Sequence, residues 1–444
     1  MKILFVSLGC DKNLVDSEVM LGYLYEKGYT FTDEQEQADV VVVNTCSFIH
    51  DAKEESIQVI LEMAELKKAE QIKVLIVTGC LAERYKDEIQ EEIEEVDAIL
   101  GASAIEHIVE VVEKALEGQP RNLMEDISKI PPVGQKRIVT TGGHFAYLKI
   151  AEGCNKQCTY CIIPKIRGNY RSVPLESLVE EAKILVEKGV KELILVAQET
   201  TLYGVDLTGR KELPRLLRAL CQIEQLQWIR ILYCYPEEIT DELIQTIQEE
   251  EKICNYLDIP IQHASNTILK KMGRRTNQEE LRENIEKIRK FIPDMCLRTT
   301  FITGFPTETQ DDHEEVMEFV NEMEFDRLGV FTYSQEEDTI AGDMEGQILE
   351  ETKQERQQQI MELQQEIAFE KAEQSVGVEL FAMIEGKLEE DSVYLARTYK
   401  DAPNVDGYLF VHSDKLLMTG DYVKVRITGS NEYDLIGEMI DEHT

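Results

Sequence analysis

Three closely spaced cysteines are the clearest sign of chemistry in this sequence. Cys154, Cys158 and Cys161 lie in the segment EGCNKQCTYC, with three residues in the first gap and two in the second. Three thiolates at this spacing can bind three irons of a cubane cluster and leave the fourth iron without a protein ligand. An open metal position lets a substrate or cofactor bind the metal directly. A structural zinc site would need a fourth Cys or His nearby, and none follows, so the spacing favours an iron-sulfur cluster.

Three other cysteines are far apart in the sequence but occupy equivalent places. Cys10, Cys46 and Cys80 each directly follow an apolar run, in SLGC, VNTC and VTGC. Because the carboxyl ends of parallel strands meet along one sheet edge, where ligands bind, these thiols are expected to converge on a second cluster. The alternative is three buried, inert cysteines. The remaining four show no such spacing and are expected to be structural: Cys221, Cys234, Cys254 and Cys296.

The hydrophobic pattern predicts the elements that position these cysteines. In residues 1–118, apolar runs alternate with amphipathic segments, which is typical of a doubly wound parallel sheet. Residues 119–139 contain prolines and little periodicity, and are predicted to be a linker. In residues 140–372, six strand-like runs alternate with helical stretches, which predicts a partial (β/α)6 barrel. Residues 373–444 contain short strand-like runs between turn residues, which predict a small β-barrel and complete an α/β protein.

A long connecting helix is also predicted before the last domain. The segment Gln347 to Gln374 is rich in Glu, Gln and Lys and has no Gly or Pro. We expect it to be a solvated surface helix.

The composition limits which partners and which cellular compartment are expected for this protein. The chain has 47 Lys and Arg residues against 86 Asp and Glu residues, a net charge of −39 that repels a phosphate backbone at long range. A direct nucleic-acid target is therefore not expected, and a basic protein suits this surface better, although acidic residues also serve solubility alone. No apolar run approaches the roughly 20 residues of a membrane span, and the N-terminus turns polar too early for a signal peptide. We expect a cytoplasmic protein without a membrane partner.

The cysteine motif resembles the signature of the radical S-adenosylmethionine (SAM) superfamily. The shared features are the spacing of residues 154–161 and an aromatic residue, Tyr160, before the last cysteine. The resemblance implies that SAM chelates the open iron and that reduction cleaves SAM to a radical that abstracts hydrogen. It also implies a partial barrel with polar residues at strand ends that hold SAM. The SAM contacts implied in this chain are Tyr160, Gln198, Gln262 and Arg298.

Almost the whole chain resembles the radical SAM methylthiotransferase family. In that family an N-terminal domain with three dispersed cysteines precedes the radical SAM core and a small TRAM-like β-module. Four segments are similar to the RimO branch: SLGCDKNLVDSE, CTYCIIPKIRG, YLDIPIQHAS and DAPNVDG. The chain departs from that branch at Asp11, where proline is common, and at Thr307, where glycine is frequent. Both positions lie beside motif residues rather than on expected ligands.

The RimO resemblance implies a reaction and its partners. Such enzymes add a methylthio group to the β-carbon of an aspartate in small-subunit ribosomal protein number twelve, using two SAM molecules and two 4Fe-4S clusters. One cluster would bind the cysteines at 154, 158 and 161, and the auxiliary cluster would bind those at 10, 46 and 80. The implied partners are the basic target protein, an electron donor such as flavodoxin or ferredoxin, and a sulfur donor.

Two alternatives stay open at the level of the sequence. A methylthiotransferase of tRNA adenosine needs a basic path for RNA, whereas residues 372–444 contain 15 acidic and 6 basic residues. A non-enzymatic iron-sulfur electron carrier or cluster-stabilised binding protein would have no reason to bind SAM. Cleavage of SAM under reduction would separate an enzyme from that last class.

Overall fold

The N-terminal domain contains a five-stranded parallel sheet with the strand order β2-β1-β3-β4-β5. The computed structural model describes residues 1–119, 121–129, 137–388 and 392–440. The strands of this sheet are β1 (Lys2–Ser7), β2 (Thr30–Phe31), β3 (Val40–Thr45), β4 (Val74–Gly79) and β5 (Ala98–Leu100). The central strands are apolar on both sides because helices cover both faces of the sheet.

Helices on the two faces of this sheet complete the doubly wound domain. They are α1 (Asp11–Glu26), α2 (His50–Lys68), α3 (Cys80–Arg84), α4 (Lys86–Glu92) and α5 (Ile108–Leu116), with 3-10 turns at Gln35–Gln37 and Ile105–His107. Helices α1 and α5 pack on one face, and α2, α3 and α4 pack on the other. The predicted fold of this domain is confirmed.

The central domain contains a six-stranded sheet in the order β13-β12-β11-β10-β9-β6, and all of its neighbouring strands are parallel. Its strands are β6 (Phe145–Lys149), β9 (Glu192–Val196), β10 (Trp228–Ile231), β11 (Ile253–Asp258), β12 (Cys296–Thr303) and β13 (Arg327–Thr332). A separate two-stranded ribbon joins β7 (Ala151–Glu152) to β8 (Arg171–Ser172). The six strands match the six that the sequence predicts, and the sheet is open rather than closed.

Helices cover one face of this sheet and bury the largest apolar cluster of the described chain. They are α7 (Leu175–Glu187), α9 (Leu213–Cys221), α10 (Asp241–Glu249), α11 (Asn266–Lys271), α12 (Gln278–Phe291), α13 (Gln310–Met323) and α14 (Glu350–Gln374). The domain also has two short helices that contribute nothing to this cluster, α6 (Ile163–Arg167) and α8 (Val205–Thr208), and a 3-10 turn at Pro236–Glu238. The prediction of a solvated surface helix was wrong for α14. Its residues Ile360 and Ile367 belong to this apolar cluster, and Arg356 is buried against Glu308.

The C-terminal domain is a closed five-stranded barrel in the order β14-β15-β16-β18-β17. Its strands are β14 (Glu379–Lys387), β15 (Val393–Thr398), β16 (Leu409–His412), β17 (Tyr422–Asn431) and β18 (Asp434–Met439). The β16–β18 pair is parallel and the other pairs are antiparallel. The barrel that the sequence predicts is confirmed.

The second face of the central sheet is covered by the other two domains rather than by its own helices. Phe145 and Tyr147 of β6 point to this face and pack in a cluster with Val15 of α1 and with Met383 and Ala402 of the C-terminal domain. Alternate residues of the same strand face the helices, as a pleated strand requires. The three domains therefore share one interior, and α1 brings the N-terminal domain into it.

The segment between the first two domains is partly packed. Pro120 and residues 130–136 of the predicted linker lie outside the described residues. In the described part, Leu123 pairs with Leu100 at the edge of the first sheet, and buried Arg137 forms ion pairs with Glu18 and Glu181. The boundaries at residues 118, 139 and 372 stay predictions; helix α14 runs past the last of them, to Gln374. None of the described helices combines the length and apolar character needed to cross a membrane.

Candidate functional site

The strand order of the N-terminal sheet brings Cys10, Cys46 and Cys80 to one edge. These residues follow β1, β3 and β4, which are neighbours in the sheet. The order in which strands are added reverses at this point, because β2 lies on one side of β1 whereas β3, β4 and β5 follow on the other side. Ligands bind at such a switch point, beyond the carboxyl ends of the strands. Gly9 has a φ of +86°, and a Cβ there would lie 2.9 Å from the Cys46 sulfur, so glycine permits the close approach of the two loops.

Burial dominates the chemistry of these thiols. Cys46 and Cys80 are 7% and 8% exposed. Burial, together with the neighbouring Cys80 and Cys10 thiols, raises the pKa of Cys46 to about 12. Burial also raises the pKa of Cys80, which Arg167 partly offsets. A metal ion reverses this preference because coordination deprotonates a thiol outright, so the three sulfurs suit a soft metal centre better than they suit free thiolates.

Cys154, Cys158 and Cys161 lie in the loop between β7 and α6, above the carboxyl end of β6. The loop is fixed by main-chain bonds: the Cys154 N–H donates to the Gly168 carbonyl at 3.1 Å and the Cys161 N–H donates to the Cys158 carbonyl at 3.0 Å. The Cys158 sulfur is 3.6 Å from the Tyr235 hydroxyl. Burial raises the pKa of Cys154 to about 11 and also raises that of Cys161. This triad has the same donor set as the first.

The two triads adjoin each other. Cys80 packs in one apolar cluster with Ile162 and Ile166, and Ile162 is the residue directly after Cys161. Arg167, at the end of the same short helix α6, donates from Nε and Nη2 to the Cys80 sulfur, each at 3.3 Å. The short helix α6, which follows the motif of residues 154–161, therefore contacts Cys80 of the N-terminal domain.

Buried charges connect the two triads further. Arg167 Nη1 donates to Asp16 of α1 at 2.8 Å. Lys149 pairs with the same aspartate and, at 2.8 Å, with Glu152, two residues before Cys154. This network was not predicted from the sequence: Asp16, Glu152 and Arg167 stand in three separate quoted motifs, Lys149 stands in none, and the four residues lie in two domains. Nothing in the sequence pairs them.

The four residues expected to contact SAM have different surroundings and hydrogen-bond partners in the structure. Tyr160, inside the motif loop, packs against the apolar cluster that contains Met272 and Phe305. Gln198 donates to Glu152 at 2.6 Å, while its Oε1 has no hydrogen-bond partner among the described residues. Gln262 has a φ of +78° and is bound to β12 by its main chain. Arg298 forms ion pairs of 2.8 Å with Asp258 and 3.5 Å with Asp406 of the C-terminal domain. Arg298 is therefore already neutralised by two carboxylates.

A cation that the sequence analysis missed lies beside the radical SAM triad. Arg274 is buried, and its guanidinium is 4.3 Å from the centre of the Tyr235 ring. Its Nη2 donates to the Pro260 carbonyl at 2.9 Å, but Nε and Nη1 have no hydrogen-bond partner in the described chain. It follows α11 rather than a strand, so the rule that placed ligands at strand ends could not find it.

Comparisons with known proteins identify the family. The chain is 62% identical over 437 residues to the ribosomal protein uS12 methylthiotransferase RimO of Lachnoclostridium phytofermentans, which covers 98% of this chain and 99% of that protein. The chain belongs to the RimO family. The RimO protein of Clostridioides difficile is 48% identical over 442 residues, which covers all of this chain and 99% of that one. The RimO resemblance expected from the sequence motifs is therefore confirmed.

Family descriptions match each of the three RimO domains. Residues 2–101 match an uncharacterized protein family designated UPF0004, residues 148–320 the radical SAM superfamily, and residues 376–440 the TRAM domain. The solved radical SAM methyltransferase TsrM of Kitasatospora setae shares the fold, with a TM-score of 0.54 at 13% identity, over 74% of this chain and 72% of that one. As a RimO-family member, the chain is a radical SAM methylthiotransferase that uses SAM and an iron-sulfur cluster.

Proposed function

We propose that this enzyme adds a methylthio group to the β-carbon of an aspartate in ribosomal protein uS12, the target named for its relatives. The observation that carries the proposal is the contact between the two cysteine triads through Cys80, Ile162 and Arg167. A reaction that uses radical chemistry and a sulfur donor on one carbon needs both centres within reach of one bound residue.

Two 4Fe-4S clusters fit the two triads. Each triad offers three unpaired thiols and leaves one iron without a protein ligand. Bound there, the cofactors would supply the hydrogen-abstracting radical at residues 154–161 and the methylated sulfur at Cys10, Cys46 and Cys80. The protein's own part is to hold the loops: Gly9 admits Cys46, and Arg167 donates two N–H groups to the Cys80 sulfur.

Tyr160 and Gln198 are the better supported of the proposed SAM contacts. Tyr160 precedes Cys161, and Gln198 presents an unpartnered buried oxygen beside Glu152. Gln262 would act through its main chain, since its φ of +78° turns the strand end. Arg298 would act indirectly, by fixing Asp258 and the C-terminal segment that carries Asp406.

The acidic surface supports a basic protein partner rather than RNA. The C-terminal segment of the sequence, residues 372–444, contains 15 acidic and 6 basic residues. The reaction also needs an electron donor, such as flavodoxin or ferredoxin, and a source of sulfur. A ribosomal target would place the enzyme in the cytoplasm.

Mass spectrometry tests the proposal. Cluster-loaded enzyme is incubated without oxygen with SAM, sulfide, a reductant and uS12, and tRNA is tested in parallel. We expect uS12 to gain about 46 mass units on one aspartate, and Cys154→Ala or Cys10→Ala to abolish the gain. Modified tRNA with unmodified uS12 would overturn the target, and SAM cleavage with neither product would leave only the radical chemistry.

The iron content of the same variants tests the number of clusters. The wild-type chain should bind about eight irons, and Cys154→Ala and Cys10→Ala should each retain about four. Cys221→Ala is the matched control, because Cys221 lies on α9 away from both triads and its loss should leave the iron content unchanged. About four irons in the wild-type protein would contradict the second cluster.

A further inference from the structure

Lys12 is a buried cation without a carboxylate partner. It is 7% exposed, and its Nζ is 3.5 Å from the centre of the Tyr233 ring. In the described chain, no carboxylate oxygen lies within the 4.0 Å ion-pair distance of Lys12, whereas the other three buried lysines, Lys149, Lys156 and Lys353, each have such a partner. A buried ammonium group is costly to leave unpaired, and a ring contact offsets only part of that cost.

The acid next to Lys12 in the sequence does not neutralise it by direct contact. Asp11 accepts a hydrogen bond from the Tyr233 hydroxyl at 3.1 Å instead. Tyr233 in turn follows β10, so it lies at the carboxyl end of a strand of the central sheet, where barrel enzymes carry out their chemistry. Lys12 is thus held between the first turn of α1, two residues after Cys10, and the mouth of the partial barrel.

The other buried cations near the two cysteine triads either pair with carboxylates or lie at the triad of residues 154–161. Arg167 and Lys149 share Asp16, and Arg298 pairs with Asp258 and Asp406. Arg274 also lacks a carboxylate, but it belongs to the radical SAM triad through its contact with Tyr235. An anion that enters beside Cys10, Cys46 and Cys80 therefore meets Lys12 as a buried cation that no carboxylate of the described chain contacts directly.

We propose that Lys12 binds the side-chain carboxylate of the target aspartate and thereby selects aspartate over asparagine. This inference rests on the proposed function. An ion pair to Lys12 would hold the neighbouring β-carbon beside the sulfur-bearing triad, while Tyr233 closes the other side of the ammonium group. A neutral amide cannot neutralise the cation, so an asparagine at the same place leaves Lys12 unpaired and binds more weakly.

Binding measurements test this role separately from catalysis. The cluster-loaded enzyme without reductant is titrated with uS12 and with a uS12 variant in which the aspartate located by mass spectrometry is asparagine. We expect the wild-type enzyme to bind the aspartate form at least about tenfold more tightly. Lys12→Met should abolish this preference by weakening the aspartate form alone, and Lys12→Arg should keep a preference of several-fold.

The control is Lys165→Met, which removes the same charge from an exposed side chain of α6 that pairs with Asp338. It should preserve the wild-type preference. Iron content and the thermal midpoint of Lys12→Met report on folding. An unchanged preference in Lys12→Met, or an equal loss for both forms of uS12, would overturn the inference. A wild-type enzyme that binds neither form but modifies tRNA would instead overturn the proposed function.

Discussion

At the scale of single residues, Arg167 connects the Cys80 sulfur to the interface between the first two domains. Its two N–H donors reach the Cys80 sulfur, and its third nitrogen reaches Asp16 of α1. Hydrogen bonds to a cluster-ligating sulfur reduce the negative charge on that sulfur and raise the reduction potential of the cluster. The same guanidinium balances a buried aspartate, so in the proposed enzyme the electronics of an auxiliary cluster and the docking of the N-terminal domain would depend on one residue.

Glu199 gives a pH-dependent prediction at the same scale. Its side chain is fully buried, Thr201 donates to Oε1, and Oε2 has no hydrogen-bond partner in the described chain. Burial raises the pKa of Glu199 to about 7 from its usual 4.5. Between these values the unfolded chain has lost the proton while the folded protein keeps it, so the folded state loses stability as pH rises and the loss is complete above about pH 7.

We therefore expect Glu199→Gln to become progressively more stable than the wild-type protein as pH rises from 4.5 to 8. The free energy of unfolding of the variant relative to wild type should increase by about 3 kcal/mol over this range. Urea denaturation of the cluster-free proteins at several pH values measures it. A difference that does not change with pH would contradict the burial argument.

At the scale of elements, α14 shows why composition alone misjudged a helix. The segment is polar because most of its surface faces solvent, but a narrow stripe that includes Ile360 and Ile367 packs against the helix-covered face of the central sheet. Gln364 and Arg356 are buried on the same helix because Phe325 and Glu308 supply acceptors. A polar side chain with a partner elsewhere in the fold looks solvent-exposed in a sequence pattern, since the partner is distant in sequence.

Truncation of this stripe should destabilise the central domain. Ile360 is buried, and Ile360→Ala leaves a cavity between α14 and the sheet that should lower the free energy of unfolding by about 3 kcal/mol. Gln358→Ala, on the exposed side of the same helix, should change it by less than about 0.5 kcal/mol. Urea denaturation followed by circular dichroism compares the two. Equally small changes in the free energy of unfolding for the two variants would support the solvated helix that the sequence suggested.

At the scale of the whole molecule, patterns that recur along the sequence predicted the sheets and the positions of the cysteines. Contacts between side chains from distant segments could not be predicted in this way. The apolar runs of the two parallel sheets were readable because both of their faces are buried. The placement of cysteines after strands was readable because carboxyl ends share one edge. The contacts of Arg397 in β15 were not predictable, because its partners lie on other strands, Glu192 on β9 and Glu385 on β14. The network around Arg167 escaped for the same reason.

The same kind of pairing attaches the C-terminal barrel to the central sheet. Glu192 accepts hydrogen bonds from Arg230 at 2.8 Å and from Arg397 of the barrel at 2.7 Å. Burial raises the pKa of Glu192, but the two guanidinium groups outweigh it and hold the pKa below its usual value, so the carboxylate is charged. Arg230 also donates to the Tyr399 carbonyl of the barrel at 2.6 Å. Glu192 thus pairs with two buried cations at a domain interface, and Glu385 is a second partner of Arg397.

Glu192→Gln should loosen this interface selectively, because it leaves Arg230 and Arg397 buried without their shared charge. We expect the free energy of unfolding to fall by about 3 to 5 kcal/mol. Trp228, the single tryptophan, meets Tyr422 of the barrel edge-to-face at 5.3 Å, so its fluorescence reports on this contact. In the variant the fluorescence transition should precede the loss of helical circular dichroism. Glu379→Gln, which affects only an exposed pair with Lys424 and Arg426, should leave the two transitions as they are in the wild-type protein. If the transitions also stay together in Glu192→Gln, the barrel is held by apolar packing and the buried ion pairs contribute little to its attachment.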